Sequence, residues 1–282
     1  MNKTRTKFPL HGWIGLILIA VFWYLNWTLD GLRTQILFFP LWLGYALTVD
    51  ALVYLRKGSS LLSRSIKKYI SLFMISAPAW WLFELLNLRT QNWFYDGKQF
   101  FSDLEYAIYA TISFSTVIPS VFGSAELAST FNWMNKIKFQ KKINPSKKFL
   151  VYHLCLGLIM LTLVMIFPKI FFVLIWLSVF FILEPINVWL GYNSVYDYLK
   201  SGNWKPIFSL FIGCLICGFF WEFWNYYSYP KWIYDIHFAN FLHIFEMPVL
   251  GYLGYIPFSL ELFTLYHLFS GKRSNYFNLT DN

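Results

Sequence analysis

The stretch FLVYHLCLGLIMLTLVMIFPKIFFVLIWLSVFFILEPINVWLGY, Phe149 to Tyr192, decides what kind of protein this is. Across it only Lys169 and Glu184 are formally charged. A membrane-crossing helix needs about 20 mostly apolar residues. This run is long enough for two, and Pro168 followed by Lys169 marks the point where they part. So short a link implies a tight hairpin between spans at 149–168 and 169–192. Working outward, the same criterion finds six more: 11–29, 35–55, 69–88, 104–125, 206–226 and 240–268. The first follows Lys3, Arg5 and Lys7 as a signal peptide would. No small-residue cleavage pattern follows it, so it reads as a retained anchor.

Composition agrees. Of 282 residues, 57% are hydrophobic, 23% aromatic and 13% charged, and the mean hydropathy is +0.48. Soluble domains carry about a quarter charged residues, so a water-soluble enzyme is excluded. Three cysteines exclude a disulfide scaffold. The net charge of +9 does not imply nucleic acid, because membrane proteins concentrate Lys and Arg in cytoplasmic loops. With the N-terminus inside, eighteen of the 23 Lys and Arg residues fall on the cytoplasmic side. They cluster at 3–7, 56–68, 136–148, 200–205 and 272–273. Only Arg33, Arg89, Lys98, Lys169 and Lys231 fall outside. The expected fold is an all-α polytopic bundle of eight spans with both termini cytoplasmic, integral to a bacterial inner membrane.

The basic segment 132–148 separates two sets of four spans, 1–131 and 149–282, which echo each other in order. Trp42-Leu43-Gly44-Tyr45 recurs as Trp189-Leu190-Gly191-Tyr192, each with an aspartate eight residues after the tryptophan, Asp50 and Asp197. Glu84-x-x-Asn87 recurs as Glu222-x-x-Asn225. Trp93-Phe94-Tyr95-Asp96 recurs as Trp232-Ile233-Tyr234-Asp235, and Glu105 pairs with Glu246. Four spans per half give the halves the same orientation, hence a parallel repeat with sites between the repeats.

Acids within apolar spans are costly and mark function. At about 1.5 Å per residue, Glu84 lies roughly 22 Å along its span, Glu222 roughly 24 Å, and Glu246 roughly 9 Å from the opposite side. These three are expected to share the outer third of the bilayer. Asp50 and Glu184 share the inner third, with Glu261 at the inner edge. Asn87 and Asn225 follow their glutamates by one turn on the same helix face, and His243 precedes Glu246 by three residues. Carboxyls gathered away from water resist ionisation, and a neutral carboxylic acid is a proton donor. Trp80, Trp81, Phe219, Phe220 and Trp221 lie beside the glutamates, and aromatic faces stabilise cations. That combination suits carbocation chemistry on a polyene, and equally the binding of a rigid apolar ligand. A purely structural reading has these acids hydrogen-bonding across the repeat interface. Pro248, Gly251, Gly254 and Pro257 interrupt the last span, as in helices that line a cavity. Cys214-x-x-Cys217 has no second pair, and no metal, nucleotide or serine-hydrolase motif is present.

These residues resemble the integral-membrane lycopene cyclase domain family. Phe83-Glu84 is followed after nine residues by Trp93-Phe94-Tyr95-Asp96. Trp221-Glu222 is followed after ten by Trp232-Ile233-Tyr234-Asp235. Pro257-Phe258-Ser259-Leu260-Glu261 is similar to a third family element. Glutamate stands where the family has aspartate, and one acid rather than two follows Pro257. The resemblance implies a cofactor-independent isomerase or cyclase acting on an isoprenoid or other apolar substrate among membrane lipids. Glu84, Glu222, Glu246 and Glu261 would be the proton-transferring acids. Asn87, Asn225, Trp81, Trp221, Trp93 and Trp232 would line the substrate site, with no metal. The alternative is a non-enzymatic transporter or lipid- or isoprenoid-binding protein with its site between the repeats.

Overall fold

The computed structural model describes residues 7–137, 139–271, 273, 276, 277 and 279. Lys3, Arg5, Lys138 and Lys272 of the charge count lie outside them. The long elements are α1 (Leu10–Thr28), α2 (Thr34–Lys57), α4 (Ile66–Thr90), α7 (Lys147–Ile166), α9 (Ile175–Leu190), α11 (Lys205–Asn225) and α12 (Tyr255–Ser270). A further span is made of α5 (Asp103–Phe114) and α6 (Val117–Ser129), broken at Ser115 and Thr116. Short helices α3 (Leu61–Arg64), α8 (Pro168–Phe171) and α10 (Val195–Ser201) join them. Among the described residues, eight helical segments are long and apolar enough to cross a membrane. The protein is an all-α, multi-pass membrane bundle, its outer faces covered with exposed Leu, Ile, Phe and Val side chains.

Packing follows one scheme in each half. Helix α1 lies on α2 as α7 lies on α9; α2 meets α6 as α9 meets α12; α4 meets α6 as α11 meets α12. Between the halves, α6 crosses α11 and α4 touches α12. The α6–α11 crossing is close because Gly213 has no side chain. A Cβ there would fall 2.3 Å from the Ala125 nitrogen.

Strand β1 (Trp93–Asp96) follows α4, and β2 (Lys231–Tyr234) follows α11. They pair antiparallel, Trp93 opposite Tyr234 and Tyr95 opposite Trp232. The ribbon therefore holds the C-terminal ends of α4 and α11 together at one end of the bundle.

At the other end each half buries an acid that organises its next short helix. Asp50 accepts from the Ser60 hydroxyl (2.7 Å) and the Leu62 amide (2.9 Å) at the start of α3. Glu184 accepts from the Ser194 hydroxyl (2.6 Å) and the Val195 amide (2.6 Å) at the start of α10. By role, Asp50 corresponds to Glu184 and not to Asp197, which caps α10 and meets Arg273. The Trp-Leu-Gly-Tyr echo is not positional either. Trp42 is fully buried in mid-helix, whereas Trp189 is 48% exposed in the last turn of α9.

The last span differs most from expectation. No helix runs from 240. The chain forms a small hairpin, β3 (His243–Ile244) with β4 (Met247–Pro248), then a 3-10 stretch at Val249–Gly254, and only then α12. Phe238, Leu242 and Phe245 take left-handed backbone angles, incompatible with a continuing right-handed helix. Pro248 cannot donate the amide a helix interior requires.

Candidate functional site

Each half builds the same motif from the spacing Glu-x-x-Asn and the returning strand. The asparagine sits one turn past the glutamate, where the helix ends and its last carbonyls lack partners. Its side chain grips the incoming strand. Asn87 donates to the Trp93 carbonyl (2.7 Å) and accepts from the Asn92 amide (2.9 Å). Asn225 donates to the Trp232 carbonyl (2.7 Å) and accepts from the Trp232 amide (3.1 Å). Neither asparagine lines a cavity; both fix the strand against the helix.

Alternate residues of a strand share a face. Trp93 and Tyr95, and likewise Trp232 and Tyr234, therefore point together toward the glutamate side of the ribbon. Glu84 Oε1 accepts from Tyr95 Oη (2.6 Å), Trp80 Nε1 (2.9 Å) and Trp93 Nε1 (3.1 Å). Glu222 Oε1 accepts from Tyr234 Oη and Tyr255 Oη, both at 2.7 Å. Burial, reinforced by the adjacent glutamates, pushes the phenols of Tyr95 and Tyr234 well above their ordinary range. They remain hydrogen-bond donors throughout the physiological pH range.

The halves differ at one paired position. Trp80, four residues before Glu84, is matched by Gly218, four residues before Glu222. The Tyr255 ring occupies the space left there: a Cβ on Gly218 would lie 2.5 Å from it. Tyr255 thus replaces an indole donor with a phenol. The two glutamates also end differently. Glu222 is fully buried, and its Oε2 has no hydrogen-bond partner among the described residues.

Beneath the ribbon and between the halves lies a cavity of about 490 Å³. Glu222 is on its wall, with Trp80, Trp93, Trp176, Trp221, Trp232 and Phe258. Trp176 stacks on Trp93 (ring centroids 5.9 Å apart) and on Phe83 (5.6 Å), which stiffens one wall. Val173, Leu250, Leu253 and Lys98 of the lining are exposed at the molecular surface.

Of the expected site residues, Glu222, Trp221, Trp93 and Trp232 are at the cavity. Glu84 is one hydrogen bond behind it, through Trp80, Trp93 and Tyr95. Trp81 faces away and donates to Thr111 Oγ1 (3.0 Å). Glu246 is not on a helix, though it lies near enough to Glu222 to act on it electrostatically. It occupies the turn of the β3–β4 hairpin and pairs with Lys231. His243 is exposed, and without a helix it shares no face with Glu246. Glu105 instead closes a capping box with Ser102 at the start of α5. Glu261 is buried in α12 against the backbone of Val179 and Phe180, away from the cavity wall. Trp80, expected beside the glutamates, donates to Glu84; sequence reasoning missed Tyr255 and the tyrosines of both strands as glutamate partners. The strand alternation signalled Tyr95 and Tyr234; nothing local signalled Tyr255. Among the described residues no three His, Cys, Asp or Glu side chains gather as a metal site. No family model, curated protein or solved structure matches the chain.

Proposed function

We propose that the protein binds a largely apolar, unsaturated membrane molecule in the cavity between its halves and rearranges it by acid catalysis, as an isomerase or cyclase. The observation that carries this reading is Glu222. Two phenols donate to its Oε1, so in the neutral carboxyl the proton belongs on Oε2. That oxygen is buried without a partner in a residue on the cavity wall. The Glu222 side chain is closed off in the resting structure, so its proton reaches a bound double bond when the carboxyl turns into the cavity it borders, and general acid catalysis requires that approach. Positive charge developing on the substrate would face the indoles of Trp93, Trp176 and Trp221. The proton lost from the cation returns to the Glu222 carboxylate and restores the acid, while Glu84, accepting from three donors on one oxygen, holds the Trp80 and Trp93 indoles in place at the wall.

The chain is read as two parallel four-helix repeats, 1–131 and 149–282, joined by the basic linker. The matched packing, the paired Glu-x-x-Asn motifs and the reciprocal ribbon register support this. The Lys and Arg count supports placing the ribbon end outside and both termini in the cytoplasm. A second reading, binding or transport without chemistry, is favoured by the apolar edge at Val173, Leu250 and Leu253, through which a lipid-dissolved ligand would pass unchanged.

Membranes of cells with and without the protein, compared by untargeted lipid analysis, separate these readings. Acid catalysis predicts a product that disappears in Glu222→Gln, while the variant still co-purifies the substrate. If the same lipid co-purifies with both proteins and neither converts it, the binding reading holds. If Glu222→Gln retains full conversion, the acid assignment is wrong.

A further inference from the structure

The charged residues on the cavity lining are Glu222, Lys98 and Lys231, and they are not equivalent. Glu222 is fully buried. Lys231 is neutralised by Glu246. Lys98 is exposed at the rim, with its Nζ 4.4 Å from the centre of the Tyr106 ring and no carboxylate partner among the described residues. It follows the ribbon directly, at the end of the bundle where a membrane gives way to water. Val173, Leu250 and Leu253, also on the lining, are apolar and exposed. The cavity therefore has a lipid-facing side, a basic lip and an apolar interior.

Size narrows the ligand. At about 490 Å³ the cavity falls within the range of small-molecule sites. An ionised head would be costly in the buried interior, so a charged group belongs at the rim and the chain inside. We propose that the ligand is an amphiphile with an unsaturated apolar chain and a single anionic head, phosphate or carboxylate, that rests on Lys98 while the chain lies in the apolar cavity bordered by Glu222. This rests on the cavity being the ligand site, and it assigns the substrate class within that reading.

The test uses the purified full-length protein in phosphatidylcholine nanodiscs at low salt, with quenching of cavity tryptophan fluorescence as the readout. The probes are a C15 isoprenoid monophosphate and the corresponding alcohol. The phosphate is expected to bind at least tenfold tighter. Lys98→Gln should shrink that preference below threefold while leaving alcohol affinity unchanged, and Lys98→Arg should keep it. Excess inorganic phosphate should displace neither ligand. Equal affinity for phosphate and alcohol in the wild type, a preference that survives Lys98→Gln, or displacement by inorganic phosphate would each overturn the headgroup assignment. Failure of both probes to bind would instead remove the cavity reading beneath it. Repeating the titrations in a Glu222→Gln background reads binding without turnover, so the outcome does not depend on whether Glu222 is an acid catalyst.

Discussion

Replacing Gly213 with alanine tests the contact on which the two halves depend. In an isolated helix this change is favourable by about 1 kcal/mol. At the α6–α11 crossing the new Cβ would lie 2.3 Å from the Ala125 nitrogen and 2.5 Å from its Cα. Both are backbone atoms of the facing helix and cannot rotate away. Ordinary contact requires the helices to part by on the order of 1 Å, and a gap of that size forfeits a quarter to a half of the dispersion energy of each pair it opens. Overpacking of this kind costs typically 1–3 kcal/mol. With several contacts affected and the helical gain subtracted, the expected net loss is about 2 kcal/mol. For a chain this long that is a fall in Tm of about 4–8 °C, read from tryptophan fluorescence in detergent. Gly123→Ala is the internal control. Its Cβ would sit 3.4 Å from Val49 Cγ1, an ordinary contact, so Tm should hold or rise slightly. A Gly213→Ala protein as stable as wild type, or a Gly123→Ala protein equally weakened, would refute the described crossing.

Three further outcomes follow from the same geometry. Asn87→Ala removes the clamp on Trp93 and Asn92 and should cost about 1–3 kcal/mol, with hydrogen exchange rising across 92–96 before the rest of the bundle opens. Arg64→Gln strips the cation from Glu126, whose side chain is fully buried, and breaking such a pair costs about 3–5 kcal/mol; adding Glu126→Gln should recover part of the lost Tm. In a background without Cys155, Cys214 and Cys217, Gln140→Cys should react with an impermeant thiol reagent only from the cytoplasmic side and Gln99→Cys only from the other; the reverse pattern would invert the proposed orientation.

The eight spans are legible in the sequence because crossing a bilayer is a condition on length and hydropathy, which a run such as 149–192 meets on its own. The glutamate motif is legible because helix and strand periods are fixed: three residues carry Glu84 to Asn87 on one face, and two carry Trp93 to Tyr95. Position 246 shows what periodicity misses. The residues around it are apolar enough for a span, yet Pro248 and the left-handed Phe238, Leu242 and Phe245 divert the chain into a hairpin. Tyr255 shows another limit. Its partner lies 33 positions away, and its place depends on Gly218, whose missing side chain has meaning only in three dimensions. The Trp-Leu-Gly-Tyr echo misleads for a simpler reason: in a chain this rich in aromatics, a four-letter match carries no positional information.

The β1–β2 ribbon has a mechanical consequence. An alternating-access carrier rocks one repeat against the other. Here the tips of α4 and α11 are stitched together by backbone hydrogen bonds directly over the cavity, and rocking at that end would shear the stitch. For the proposed ligand the ribbon would act as a roof, and entry would fall to the side of the 3-10 stretches at 172–174 and 249–254, which carry the exposed lining residues Val173, Leu250 and Leu253. A covalent cross-link across the roof should therefore leave ligand exchange unimpeded, whereas bulk placed at Val173 or Leu253 should slow it.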